Sequence, residues 1–225
     1  MGDRRTCGNE AVGKVSGGRV PRRRRRPEEA ERAILAAARA FLTERPFREM
    51  TVEGVMVRTG LSRPAFYAYF RDRYDVVTRL LEGIGGVLFA VDRRWLVGPG
   101  DDPGEAREAL AAALRGASGT FASYGPVLRA ISDAASQDPR VEEVYRRGLI
   151  ERLIMAVAGR ISRDVRAGLS PPDPDPEQTA RALVLMTERY LLDAFGEPSS
   201  RPSEDERAVV AGALERIWLR TLYGP

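Results

Sequence analysis

Histidine is absent from the 225 residues, and cysteine and lysine each occur once. Without an imidazole there is no Ser-His-Asp or Cys-His catalysis, no His-ligated zinc and no general base titrating near neutrality. The single thiol, Cys7, cannot close an internal disulfide, which suits a reducing cytoplasm, and it lies in the N-terminal tail away from any expected site. Acid–base or metal chemistry would have to run on carboxylates, tyrosine and arginine alone. A binding protein is therefore favoured over an enzyme, and no cofactor or metal is expected. Uncharged runs such as Gly83–Val91 fall far short of the ~20 apolar residues that span a bilayer, so no membrane segment is expected. No apolar stretch follows the N-terminal arginines, so no secretory signal is expected either, and the expected location is the cytoplasm.

Charge is unevenly placed. Residues 1–27 carry nine basic and two acidic side chains, a net +7, which leaves −3 on the remainder of a chain whose total is +4. The basic balance thus belongs to the tail. Residues 1–26 are rich in Gly, Val and Arg with no apolar period and read as a disordered arm. Its run Arg22–Arg26 suits phosphate contacts on DNA or a solvated tail. That Lys14 is the sole lysine reads mainly as the codon usage of a GC-rich genome.

What is present is helical pattern. Ile34, Leu35, Ala38, Phe41 and Leu42 form one apolar stripe that Pro46 ends, and alternating β-branched runs are missing. Helix starts recur: Thr51 before a short helix stopped by Gly60, Ser62 before Arg63–Phe70 with Pro64 in its first turn, and Asp72 before a long helix. Asp102-Pro103-Gly104-Glu105, Asp138-Pro139, Asp175-Pro176-Glu177-Gln178 and Ser203 with Glu206 repeat the signal. The expectation is an all-α chain of about nine helices. Its N-terminal unit, 27–74, would be three helices with a helix-turn-helix, and 75–225 would bind ligand and dimerise.

Residues 51–70 carry the chemistry. Two short helices separated by Gly60-Leu61 have helix-turn-helix spacing, in which the second helix enters the major groove. Phe66 and Phe70, four apart, suit its buried face, while Arg63, Pro64, Tyr67 and Ala68 face outward with Tyr69 flanking. Arginine can bond guanine bidentately, Pro64 and Ala65 can touch a thymine methyl, and a tyrosine hydroxyl can bond phosphate. Arg58 fits a surface ion pair or a backbone clamp better than a base reader.

Residues 28–81, above all Thr51-Val52-Glu53-Gly54-Val55 and Gly60-Leu61-Ser62-Arg63-Pro64-Ala65-Phe66-Tyr67-Ala68-Tyr69-Phe70, resemble the DNA-binding domain of TetR-family regulators. Leu185–Tyr190 and Ile217–Gly224 are similar to the C-terminal helices of the family's EthR-like branch, while the stretch 97–170 matches weakly. The resemblance implies a homodimeric repressor of a palindromic double-stranded DNA operator, released by a small lipophilic effector. The alternative is an architectural nucleic-acid protein working through the basic arm. Family DNA contacts carry over to Thr51, Ser62, Arg63, Pro64, Ala65, Tyr67, Tyr69 and Arg73, the last standing where lysine is usual. The effector lining carries over to Phe121, Tyr145, Leu149, Val184, Thr187, Leu192 and Trp218, with Val184 and Thr187 where that branch presents asparagines. Only Thr187 and Tyr145 would then offer polar atoms. Glu188 is expected to pair with an arginine, and the last two helices are expected to form a four-helix dimer interface.

Overall fold

A computed structural model describes residues 27–98, 102–173, 175–198 and 202–224; the arm at 1–26, with its arginine run and Cys7, lies outside the described residues. Among the described residues the chain is helical throughout, without strands. The elements are α1 (Pro27–Glu44), α2 (Val52–Thr59), α3 (Arg63–Tyr67), α4 (Arg73–Val97), α5 (Pro103–Ala135), α6 (Pro139–Tyr145), α7 (Glu151–Arg166), α8 (Pro176–Phe195) and α9 (Glu204–Tyr223). A π-helical turn, Arg146–Ile150, joins α6 to α7 end to end, so nine segments make eight rods.

Most helix starts are closed by the side chains that the sequence marks. Gly54 N–H donates to Thr51 Oγ1 at 3.0 Å, Glu105 N–H to Asp102, Arg140 N–H to Asp138 and Gln178 N–H to Asp175. Asp72 accepts from both Tyr74 and Asp75, and Ser203 with Glu206 forms a reciprocal capping box. Ser62 departs from the expectation. It occupies the N-cap position of α3 with extended backbone, yet its hydroxyl accepts no cap hydrogen bond. Helix α3 is also shorter than expected, because the chain turns out of it at Ala68 while Phe70 N–H still donates to Phe66 O. Gly60, at φ +66°, makes the turn from α2 to α3; any side chain there would be strained.

One apolar core runs through the molecule. Ile34, Ala38, Phe41 and Leu42 of α1, Val55 and Met56 of α2, Phe66 of α3, Phe70 in the turn after it, and Val76 and Val77 of α4 share it with the C-terminal bundle. The expected boundary at 74/75 falls inside the first turn of α4, which passes unbroken from the N-terminal helices into the bundle. Helix α5 packs along α4, and its Gly125 lies so close to the end of α8 that an added Cβ would meet the Phe195 carbonyl at 2.1 Å. No helix among the described residues is long and apolar enough to cross a membrane.

Candidate functional sites: the recognition helix and a bundle cavity

Helix α3 stands on Phe66 and Phe70, each 1% exposed, whose rings pack 5.5 Å apart. That anchored foot turns Ser62, Arg63, Pro64, Tyr67 and Ala68 outward; Ala65 and Tyr69 are half-buried at the flanks, and Thr51 is exposed at the start of α2. Arg63 is folded onto its neighbours: it pairs with Glu53 at 2.6 Å and donates to the Tyr67 hydroxyl at 3.4 Å. Both partners are exposed, so the pair is held weakly and a guanine edge or phosphate can compete for the guanidinium. The Ser62 hydroxyl, which makes no cap hydrogen bond among the described residues, is available to a phosphate oxygen in the same way.

Arg73 is placed differently from its companions. Its guanidinium turns back onto the segment after α1, donating to the carbonyls of Met50 (3.2 Å) and Arg48 (3.5 Å) and lying over the Phe47 ring. It ties the one-turn 3-10 helix Phe47–Glu49 to α4, and only the face away from these carbonyls is left toward a nucleic acid. Arg58 forms a two-pronged pair with Glu44 at 2.6 and 3.1 Å and lies over Phe41. That guanidinium holds the Glu44 carboxyl below the usual carboxylate range.

A narrow cavity of about 70 Å³ lies at the centre of the bundle, walled by α4, α5, α7, α8 and α9. Of the expected lining, Phe121, Leu149, Val184, Thr187 and Trp218 come together around it. Tyr145 and Leu192 do not reach the lining. Tyr145 points its hydroxyl at Glu188, 2.6 Å away, on the side of a surface cleft, and Leu192 is packed in the core near the end of α8 where its carbonyl accepts from Arg129. Burial and the Glu188 charge together push the Tyr145 phenol well above its ordinary range, so it stays a donor. Glu188 is thus partnered by a tyrosine and not by the expected arginine. Thr187 is committed as well, its Oγ1 accepting from Trp218 Nε1 at 2.9 Å.

The residue that sequence reasoning missed is Asp92. It lies on α4 between Leu88 and Trp95, at a spacing that keeps all three on one helix face, and all three line the cavity. Among the described residues no hydrogen-bond donor and no cation is paired with it. Burial alone pushes its carboxyl up to about 7. An acidic side chain inside the stripe Leu81, Ile84, Leu88, Trp95 was the available signal.

Beyond the cavity, α4 ends in a buried polar knot. Arg160, 2% exposed, pairs with Asp164 at 2.8 Å and donates to the carbonyls of Trp95 (2.5 Å) and Gly98 (3.1 Å). Tyr223 donates to Asp164 at 2.7 Å while accepting from Trp95 Nε1 at 2.9 Å. Arg163 donates to the Leu96 carbonyl. Burial pushes the Tyr223 phenol up to about 12.

Comparison with known proteins gives a consistent result over nearly the whole chain. Residues 34–80 match the family described as bacterial regulatory proteins of the tetR family, and residues 110–224 match the C-terminal domain of transcriptional regulator EthR. The HTH-type transcriptional regulator EthR of Mycolicibacterium smegmatis is 30% identical over 210 residues, covering 92% of this chain and 94% of that protein. EthR of Mycobacterium tuberculosis is 30% identical, covering 91% and 94%. Among solved structures, Salmonella enterica GusR superposes with a TM-score of 0.70 at 17% identity, over 93% of this chain and 99% of the other. The fatty acid degradation regulator FadR from Bacillus halodurans gives 0.69 at 13%, over 88% and 97%.

Proposed function

This chain belongs to the TetR family of transcriptional regulators, in its EthR-like branch, and from that premise we propose that it is a dimeric repressor of a two-fold-related operator, released by a small lipophilic effector. The observation that carries the proposal is the double duty of α4. Its first turns, through Val76 and Val77, are packed into the core that holds the recognition unit, and its later turns, through Leu88, Asp92 and Trp95, wall the cavity. A molecule that widens a cavity of about 70 Å³ has to displace a wall, and displacing this wall tilts the seat of α3. Release of DNA then requires only that the effector favour the widened arrangement over the DNA-bound one.

Two recognition helices must enter successive major grooves about 34–36 Å apart, which a single copy of this chain cannot supply. Leu185 and Tyr190 on α8, with Val209 and Ile217 on α9, are large apolar side chains that stand 39–71% exposed, and they suit burial against a second copy. Arg63, Pro64 and Ala65 are assigned to base edges in the groove, and Thr51, Ser62, Tyr67 and Tyr69 to the phosphate backbone. Light scattering at micromolar concentration, followed by selection from random duplexes, tests the proposal. The expected result is a dimer enriching sites with two-fold symmetry. A monomer, or enriched sites without symmetry, would sink it.

A further inference from the structure

The cavity walls are apolar except for two carboxylates and groups already committed to one another. Trp218 donates its indole N–H to Thr187, Trp95 donates its own to Tyr223, and the two indoles meet edge to face at 5.9 Å. Glu188 accepts from Tyr145. That leaves Asp92 as the lining carboxylate with no hydrogen-bond or ionic partner among the described residues. Asp92 is half-buried, and a carboxylate drawn partly out of water without a partner costs free energy unless it is neutralised or meets a donor.

We propose that the cavity takes a lipophilic amine, its ammonium or N–H group seated on Asp92 and its hydrocarbon part lying against Trp95, Trp218 and Phe121. The proposal rests on the effector assignment above and deepens it by naming the polar end of the molecule. Three features of the site agree. The acceptor is anionic or becomes so on meeting a cation, since its carboxyl is poised near neutrality by burial. Aromatic rings beside the carboxylate favour a cation over a neutral head. Among the described residues no arginine lines the cavity, so none of them would hold a carboxylate or phosphate head there, and Asp92 with Glu188 repels one.

The two tryptophans of the chain, Trp95 and Trp218, both line the cavity, so intrinsic fluorescence reports its occupancy. The test titrates the full-length protein with n-hexylamine, n-hexanol and hexanoate, whose hydrocarbon parts match, and follows tryptophan fluorescence and operator release together. Hexylamine is expected to bind about tenfold or more tightly than hexanol, the scale of a charge-assisted hydrogen bond, with hexanoate weakest. Asp92→Asn should bring the amine-to-alcohol ratio close to one, whereas Glu188→Gln, whose side chain keeps its Tyr145 hydroxyl partner, should lower the ratio by no more than about twofold. If hexanol binds and releases DNA as well as hexylamine does, the amine seat is wrong while the effector cavity stands. If the preference survives Asp92→Asn or disappears in Glu188→Gln, the anchor has been misassigned. If all three probes leave fluorescence and DNA affinity unmoved, the seat and the effector reading fall together.

Discussion

The two ends of α4 are held by opposite kinds of chemistry. At its N-terminus the partners are half-buried or exposed: Arg140 reaches Asp72 at 2.7 Å and stacks on Tyr74, whose hydroxyl donates to Asp138 at 2.6 Å. Water and salt reach this latch. At its C-terminus Arg160, Asp164, Tyr223 and Trp95 form a closed network in which every member has a buried partner. A pair in water contributes little and exchanges easily, whereas a dry, fully satisfied network is costly to disturb and fixes one geometry. The contrast makes the C-terminal end of α4 the fixed point and the N-terminal end, beside the recognition unit, the one that yields. A regulator that tilts its DNA-reading helices needs that division.

Breaking the knot should have the largest effect. Asp164→Ala leaves Arg160 buried at 2% exposure without its counter-ion and Tyr223 without its acceptor. A loss of about 3–5 kcal/mol is expected, read by urea denaturation, and it should not respond to salt because the pair is dry. A loss below about 1 kcal/mol would mean that the network rearranges and that α4 has no fixed end.

Arg63→Ala acts at the yielding end, on DNA and not on folding. The discrimination between the selected operator and a scrambled duplex should fall about tenfold or more if this arginine bonds guanine through both its donors. Tyr67→Phe should instead weaken both duplexes alike, since phosphates carry no sequence information. Gel-shift titrations giving Arg63→Ala an unchanged ratio would remove it from base reading.

Asp92 sharpens the comparison from the cavity wall, just before the fixed end of α4. Its folded-state carboxyl is raised to about 7, so the folded chain holds a proton that the unfolded chain has lost. Stability should therefore fall as pH rises from about 4 toward 7, with the full cost present above it. Asn carries no such cost. Asp92→Asn should raise stability by about 1–2 kcal/mol at pH 8, allowing for the side chain's partial contact with water, and by next to nothing at pH 4. Equal effects at the two pH values would show that this carboxyl is not poised by burial.

Much of this was legible in the sequence where local rules decide. Helix starts at Thr51, Asp72, Asp102, Asp138, Asp175 and Ser203 are short-range hydrogen bonds, so residue type and spacing suffice. The outward face of α3 followed from Phe66 and Phe70 in the same way. What could not be read depends on partners far along the chain. Asp164 meets Tyr223 from 59 positions away, Tyr145 meets Glu188 from 43, and Arg73 reaches Met50 from 23. The π-helical turn that joins α6 to α7 likewise has no local stop signal at Arg146–Ile150. Asp92 was overlooked because a charged residue in a stripe is ordinarily assigned to solvent, and only the packed bundle shows what faces it.

The smallest effect tests the latch itself. Arg140 is largely exposed, and Asp72 keeps its two cap hydrogen bonds from Tyr74 and Asp75 when that arginine is gone. Arg140→Ala should therefore lower the melting temperature by no more than about 2 °C at low salt. The deficit should vanish near 0.5 M salt, roughly where the screening length drops below about 5 Å. Operator affinity should move more than stability does, because freeing this end changes how often α4 adopts the tilt that DNA selects. The direction of that change identifies the state the latch favours: weaker operator binding means that Arg140 holds the DNA-competent tilt, and tighter binding means that it opposes it. A stability deficit that persists unchanged at high salt, matching the behaviour expected of Asp164→Ala, would show that both ends of α4 are held alike and would end the contrast.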